Sequence, residues 1–317
     1  MTPRSAGAAD PRPLGERTAA GLGYAVGAYG WWGLMPLYFL LLVPASALEI
    51  VAWRMLLSVA VCAILLTVTG GWRTILALVR TPRATLLLGL ASLFIVVNWL
   101  VYVYASVSGH VVEAALGYFI NPIVTVLLGV VVLGDRLRPL QWAAIGVSLL
   151  AIAVLVVGYG RFPWISIVLA VSFGGYGLIK KRVGASVDAL SGLTLETAWL
   201  AAPASVVLIV LAGTGGLVTG TVGAGHTVAT MFAGVITSVP LLLFAAATRR
   251  LSLSAVGLTQ YLTPVIQFVF GVVVMHEDMP AARWIGFAIV WVALALLTVD
   301  MLGATRFRRR PQPLDTV

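Results

Sequence analysis

Ten apolar stretches of about 20 residues each, separated by short polar breaks, fix the medium in which this chain folds. They run over 20–43, 47–69, 84–104, 111–133, 140–158, 163–180, 190–212, 227–247, 253–275 and 281–302. Each is continuously apolar, as a membrane helix is, whereas barrel strands alternate apolar and polar residues over about ten positions. Hydrophobic residues make up 61% of the chain and charged ones 10%, against roughly 25% charge in soluble domains. The expectation is an all-α integral membrane protein of ten transmembrane helices, with almost nothing left for a soluble domain.

The spans also repeat. GYFINPIVTVLLGVVVLGDRL, from Gly117, returns as TQYLTPVIQFVFGVVVMHEDM, from Thr259, at a gapless offset of 142 residues. Pro122 falls on Pro264, Gly129 on Gly271, Asp135 on Glu277 and Trp142 on Trp284. Further back, Asn98 pairs with Pro240 and Ala105 with Ala247. The early spans match more loosely, with Trp32-Gly33 beside Tyr176-Gly177 and Leu48-Glu49 beside Leu195-Glu196. Because the unit holds five spans, an odd number, its second copy crosses the membrane in the opposite sense. The chain therefore divides into an N-terminal tail (1–19), a first five-helix repeat (20–158), a second (163–302) and a basic C-terminal tail (303–317). Inverted halves place their shared surface near the midplane, where alternating access operates, which points to transport.

The net charge of +9 raises the question of a nucleic-acid partner, and the location of the basic residues excludes it. With a cytoplasmic N-terminus, the inner segments hold 17 of the 20 basic residues, from Arg4, Arg12 and Arg17 to the cluster Arg306, Arg308, Arg309 and Arg310. The outer loops hold only Arg161 and Arg283, and Arg54 lies within a span. That is the positive-inside asymmetry, with both termini cytoplasmic. Ala45-Ser46-Ala47 resembles a signal-peptidase site, but the apolar stretch before it is too long and nine spans follow, so it reads as an outer loop. Cys62 is alone, and His110, His226 and His276 lack ligand spacing, so neither a metal site nor a cofactor is expected.

Polar groups within the bilayer are costly, and few are present. Glu49, Arg54, Glu113 and Glu196 are the charged candidates for coupling or charge recognition. Each carboxylate has a structural alternative as a helix-end cap or ion-pair partner. For Arg54 a structural ion pair with another helix is the favoured reading, and bidentate recognition of an anion is the alternative. Glu113, Gly117, Asn121 and Thr125 recur every four residues and form one face of the fourth span; their repeat partners are Ala255, Thr259, Thr263 and Gln267. The face is either part of a solute path or a small-residue packing seam. Pro122 and Pro264 interrupt the backbone at matched points, as gates or as passive kinks. Aromatic and amide groups complete the candidate solute site: Trp32, Asn98, Trp99, Tyr102, Tyr118, Phe173, Tyr176, Gln260 and Tyr261. Trp53, Trp142 and Trp284 fit an interfacial belt instead. An aromatic cavity with few polar groups suits small amphipathic organic solutes.

In sum these motifs resemble the EamA-domain proteins of the drug/metabolite transporter superfamily. ALEIVAWR at 47, NWLVYVYA at 98, EAALGYFINP at 113, QWAAIG at 141, FPWISIVLAVSFGGYGLIKK at 162, GLTLET at 192 and TQYLTP at 259 are similar to its RarD branch. The resemblance covers 21–302 and implies a bacterial inner-membrane permease in which the first, third, fourth, sixth, eighth and ninth helices line the cavity. It departs at the second span, where Trp53-Arg54 stands for the branch's His-Arg, so no histidine proton role carries over. The Gly-rich run at 173–177 lacks the Lys and Ser/Thr of a P-loop, leaving a gradient or downhill flow as the energy source. The expected function is a secondary transporter, not an enzyme, exporting a small organic metabolite or drug-like solute. Its partners are that solute and the lipid bilayer, and it works as a monomer or weak homodimer. A membrane-embedded enzyme acting on lipid-linked substrates and a non-transporting sensor subunit are the alternatives; the chain offers neither a metal triad nor a Ser/His/Asp set for the former.

Overall fold

The computed structural model describes residues 14–308 apart from 135–136, 161, 184–186, 249 and 252. Its helices are α1 (Leu14–Leu40), α2 (Ala47–Thr69), α3 (Trp72–Val79), α4 (Pro82–Val107), α5 (Val111–Leu133), α6 (Pro139–Tyr159) and α7 (Trp164–Val183). There follow α8 (Ala189–Gly213), α9 (Ala224–Met231), α10 (Ala233–Thr248), α11 (Leu253–Thr259), α12 (Leu262–Val269) and α13 (Ala281–Arg308). Eight segments among the described residues are long and apolar enough to cross a membrane; α9 with α10 forms one, and α11 with α12 and the π-helical turn Phe270–Val274 another. The long helices α1 and α7 bring the crossings to ten, matching the ten apolar stretches. Asp135, Arg136 and Arg161 lie outside the described residues, as do 1–13 with Arg4 and Arg12 and 309–317 with Arg309 and Arg310.

Local chemistry sets the ends of the helices. Ser46 accepts from the Glu49 N–H at 3.2 Å to start α2, and Asp188 accepts from the Ser191 N–H at 3.0 Å to start α8. α2 and α6 stop at Gly70 and Gly160, with φ of 68° and 69°, a left-handed conformation that other residues resist. One segment read as a polar break is itself ordered. The short helix α3 buries Ile75 while leaving Trp72, Leu76 and Val79 exposed.

The helices pair in a pattern that reflects the duplication. α2 packs on α8, and α6 packs on α13, so the second and fifth crossings of each half meet their own counterparts. The first crossings are exchanged: α1 packs on α10 and α12 of the second half, and α7 packs on α4 and α5 of the first. Neither half is thus a separate bundle, and the swap is invisible to a reading of the repeat alone. Small residues make the close approaches. A Cβ on Gly117 would sit 2.7 Å from the Ser166 carbonyl oxygen and one on Gly33 2.7 Å from Ile266 Cβ, and one on Gly234 would collide with the Leu57 carbonyl oxygen.

The matched prolines behave differently. Pro264 has no N–H for the Gln260 carbonyl, and the helix breaks at Gln260 and Tyr261; Thr263 N–H bonds that carbonyl instead, at 3.2 Å. Pro122 leaves α5 continuous from Val111 to Leu133.

The glycine seams give a direct test. Gly234→Ala is expected to lower the melting temperature by several degrees, through overpacking of about 1–3 kcal/mol against an immovable backbone. Gly30→Ala, where nothing lies within 4 Å, should leave it unchanged or raise it, since alanine is favoured over glycine within a helix. Equal effects at the two positions would contradict the seam.

Candidate functional site

Polar side chains from both halves converge where α1, α2, α4, α5, α10 and α12 meet. The Tyr102 hydroxyl, on α4, donates to the Trp32 carbonyl at 3.1 Å and accepts from the Gln267 amide, on α12, at 2.8 Å. The same amide reaches the Trp32 carbonyl at 3.5 Å, and Thr263 donates to the Tyr29 carbonyl at 2.7 Å. Asn98 donates to the Leu169 carbonyl and the Ser172 hydroxyl, both at 3.1 Å, and accepts from the Tyr118 hydroxyl at 3.1 Å. Tyr118 packs edge-on against Tyr102 and Phe173. Of the sequence candidates, Trp32, Asn98, Trp99, Tyr102, Tyr118, Thr263 and Gln267 therefore belong to one aromatic and amide cluster with Arg54.

Arg54 is 3% exposed and has no carboxylate partner among the described residues. Its Nε donates to Thr237 at 2.7 Å, its guanidinium lies 4.1 Å from the Trp99 ring centroid and 5.6 Å from that of Phe39, and its Nη1 is buried without a partner. The expected structural ion pair is absent: a threonine and aromatic rings take the place of the carboxylate. A mid-span arginine costs about 2.5–3.5 kcal/mol on insertion scales. The Gln267 Oε1 is likewise buried and unpartnered, so the cluster holds one idle donor and one idle acceptor.

The carboxylates are engaged elsewhere. Glu49, fully buried, accepts from the Val218 N–H at 3.0 Å, the Thr219 N–H at 2.7 Å and the Thr219 hydroxyl at 2.6 Å, fastening the loop after α8. Glu113 accepts from the Ile165 N–H at 3.1 Å at the start of α7. Glu196 pairs with Lys180 at 2.7 Å and accepts from Tyr176 at 3.1 Å. The face of α5 is a seam against α7: Glu113 caps it, Gly117 touches its backbone, Asn121 donates to the Ala170 carbonyl at 3.0 Å, and Thr125 Oγ1 lies 3.5 Å from where a Gly174 Cβ would be. Asn121 and Tyr176 are thus held in helix contacts, and Gln260 and Tyr261 form the break before Pro264. Trp142 and Trp284 are 56% and 45% exposed, in keeping with an interfacial belt, whereas Trp53, expected there too, packs half-buried against the core with its Nε1 buried.

Sequence reasoning missed Tyr38, Thr237, Lys180 and Glu277. Only Glu277 carried a signal, its alignment with Asp135. Beyond the end of the ninth crossing, it accepts from the N–H groups of Val111 and Val112 and so caps α5, with Arg283 4.0 Å away. Burial pushes the Glu277 carboxyl up to about 7; the two N–H groups and Arg283 oppose the rise, and negative Glu113 reinforces it. A carboxyl raised in the folded state contributes stability that is full below its ordinary value of about 4.5 and lost as pH rises through about 7. Melting temperature should therefore fall across that window, and Glu277→Gln should remove that part of the slope. An unchanged slope in the variant would assign it to other groups.

Comparison with known proteins completes the site's context. The EamA-like transporter family matches residues 19–157, almost the whole first repeat. Protein RarD of Streptomyces exfoliatus is 47% identical over 289 residues, 91% of each chain. An uncharacterized transporter of Vibrio cholerae is 39% identical, covering 92% of this chain and 95% of its own, and Protein RarD of Escherichia coli is 35% identical, covering 92% and 98%. A crystal structure that covers 89% of this chain and 98% of its own at 21% identity superposes with a TM-score of 0.54, which supports the fold. The interleaved ten-crossing bundle and these full-length relatives lead to one conclusion: the chain belongs to the EamA-like transporters of the drug/metabolite transporter superfamily, in the RarD branch, and is a multi-pass bacterial membrane protein.

Proposed function

We propose that this transporter is a secondary exporter that moves a small organic solute across the bacterial inner membrane by alternating access, with both termini in the cytoplasm. The observation that carries the reading is the Tyr102 to Gln267 hydrogen bond of 2.8 Å, which joins the first half to the second inside a buried aromatic cluster. A contact of that kind can be exchanged for contacts to a solute as the halves rock, at the midplane site that inverted repeats share. The break before Pro264 beside it supplies a hinge on one side only. Export as the direction follows the family resemblance, and the orientation follows the positive-inside count. Its two domains are the repeats 20–158 and 163–302, and the unit is a monomer or weak homodimer.

Coupling comes from a gradient or from the solute's own flow. Glu113 is the proton carrier we propose if protons drive it, because its carboxylate holds the junction of α5 with α7, where one half meets the first helix of the other. Protonation would release the Ile165 N–H and loosen that junction.

Counterflow tests the reading. Proteoliposomes loaded with a panel of amphipathic organic solutes should exchange at least one labelled member far faster than protein-free vesicles, and Gln267→Leu should slow that exchange about tenfold, the loss of one strong buried bond. No accelerated exchange across the panel would point to a non-transporting role. With a pH gradient imposed, Glu113→Gln should abolish the gradient's effect on rate; an undiminished effect would remove Glu113 from the coupling scheme.

A further inference from the structure

We propose that Arg54 is an anion-recognition group and that the solute is an organic monocarboxylate on an aromatic or apolar skeleton. The inference rests on the transporter reading and names the substrate class for the same site. A guanidinium stays protonated in proteins and carries five N–H donors in one plane. At Arg54, ring faces flank the group: Trp99 lies 4.1 Å and Phe39 5.6 Å from the guanidinium carbon. Rings stabilise the cation through its face, yet they accept none of its in-plane N–H bonds. Thr237 takes Nε alone, and Nη1 remains buried and unpartnered. An arginine kept for stability would have these donors filled by carbonyls or a carboxylate, as Glu49 has its acceptors filled by Val218 and Thr219.

The charge balance selects the ligand. One guanidinium neutralises one negative charge, and a dianionic phosphate would bring a second, uncompensated charge into the same buried site. A carboxylate also matches the planar fork. Tyr38, Tyr102 and Tyr118 also lie near the guanidinium, and these aromatic neighbours suit an apolar skeleton.

The test uses the purified full chain in nanodiscs of zwitterionic phosphatidylcholine, with melting temperature as the readout for benzoate, cyclohexanecarboxylate and the neutral isostere benzamide. At least one carboxylate should raise the melting temperature and benzamide should not. Arg54→Lys, which keeps the charge and loses the fork, should weaken the apparent affinity about tenfold. Arg54→Met should lose the response altogether, and if that variant does not fold, Arg54→Lys carries the comparison. Equal effects of benzamide, an undiminished response in either variant, or no response to any carboxylate would overturn the inference. A further arm contains phosphatidylglycerol: if that lipid alone raises the melting temperature through Arg54 and abolishes the benzoate effect, a lipid headgroup is the occupant and the solute assignment falls. Counterflow separates the two readings. Exchange of neutral solutes only would overturn the carboxylate and leave the transporter intact, whereas no exchange of any solute would overturn the transporter reading itself.

Discussion

Hydrocarbon offers no partner to a hydrogen-bonding group, so every polar side chain in these spans must find one inside the protein. That constraint arranges the whole molecule. Glu49 fastens a loop, Glu113 and Glu277 hold the beginnings of α7 and α5, Glu196 pairs with Lys180, and Asn98 ties three helices together. Small residues finish the work by bringing backbones to within a methyl group of contact. Buried atoms without partners also occur at Trp53, Ser58, Ser148, His226, Ser238 and Arg250, and among them Nη1 of Arg54 and Oε1 of Gln267 are the guanidinium and amide atoms of the central cluster.

The duplication supplies the scaffold, and its imperfections supply the differences between the halves. Exchange of the first helices, α1 to the second half and α7 to the first, makes each half a wall for the other. Matched positions then diverge. Pro264 breaks its helix where Pro122 does not, Glu113 faces Ala255 across the repeat, and Asn98 faces Pro240. The bundle is thus symmetric in packing and asymmetric in chemistry.

Much of this was legible in the sequence because membrane helices declare themselves by length and hydropathy, and a gapless repeat declares its own inversion once the spans are counted. The cluster of Tyr102, Gln267, Asn98 and Tyr118 was legible too, since large polar groups in lipid are rare and each needs an explanation. The helix exchange was not, because packing partners are set by tertiary contacts that no periodicity encodes. The face of Glu113, Gly117, Asn121 and Thr125 has two readings in the sequence, and in the structure Gly117 packs closely on the Ser166 backbone, a contact no periodicity shows. Arg54 was expected to find an acidic partner. The nearest acid along the chain, Glu49, is instead consumed by the backbone of a distant loop, a commitment that sequence spacing could not reveal.

The central claim is that the buried charges of the spans are structural joints with one exception. Comparing the melting temperatures of Glu49→Gln, Glu196→Gln and Arg54→Met without added solute tests it most directly. The two carboxylate variants should be destabilised by about 1–3 kcal/mol for the partners they strand, while Arg54→Met should be as stable as the parent or more so. A fall in Arg54→Met as large as that in Glu49→Gln would contradict it, because the arginine would then be one more joint in the bundle.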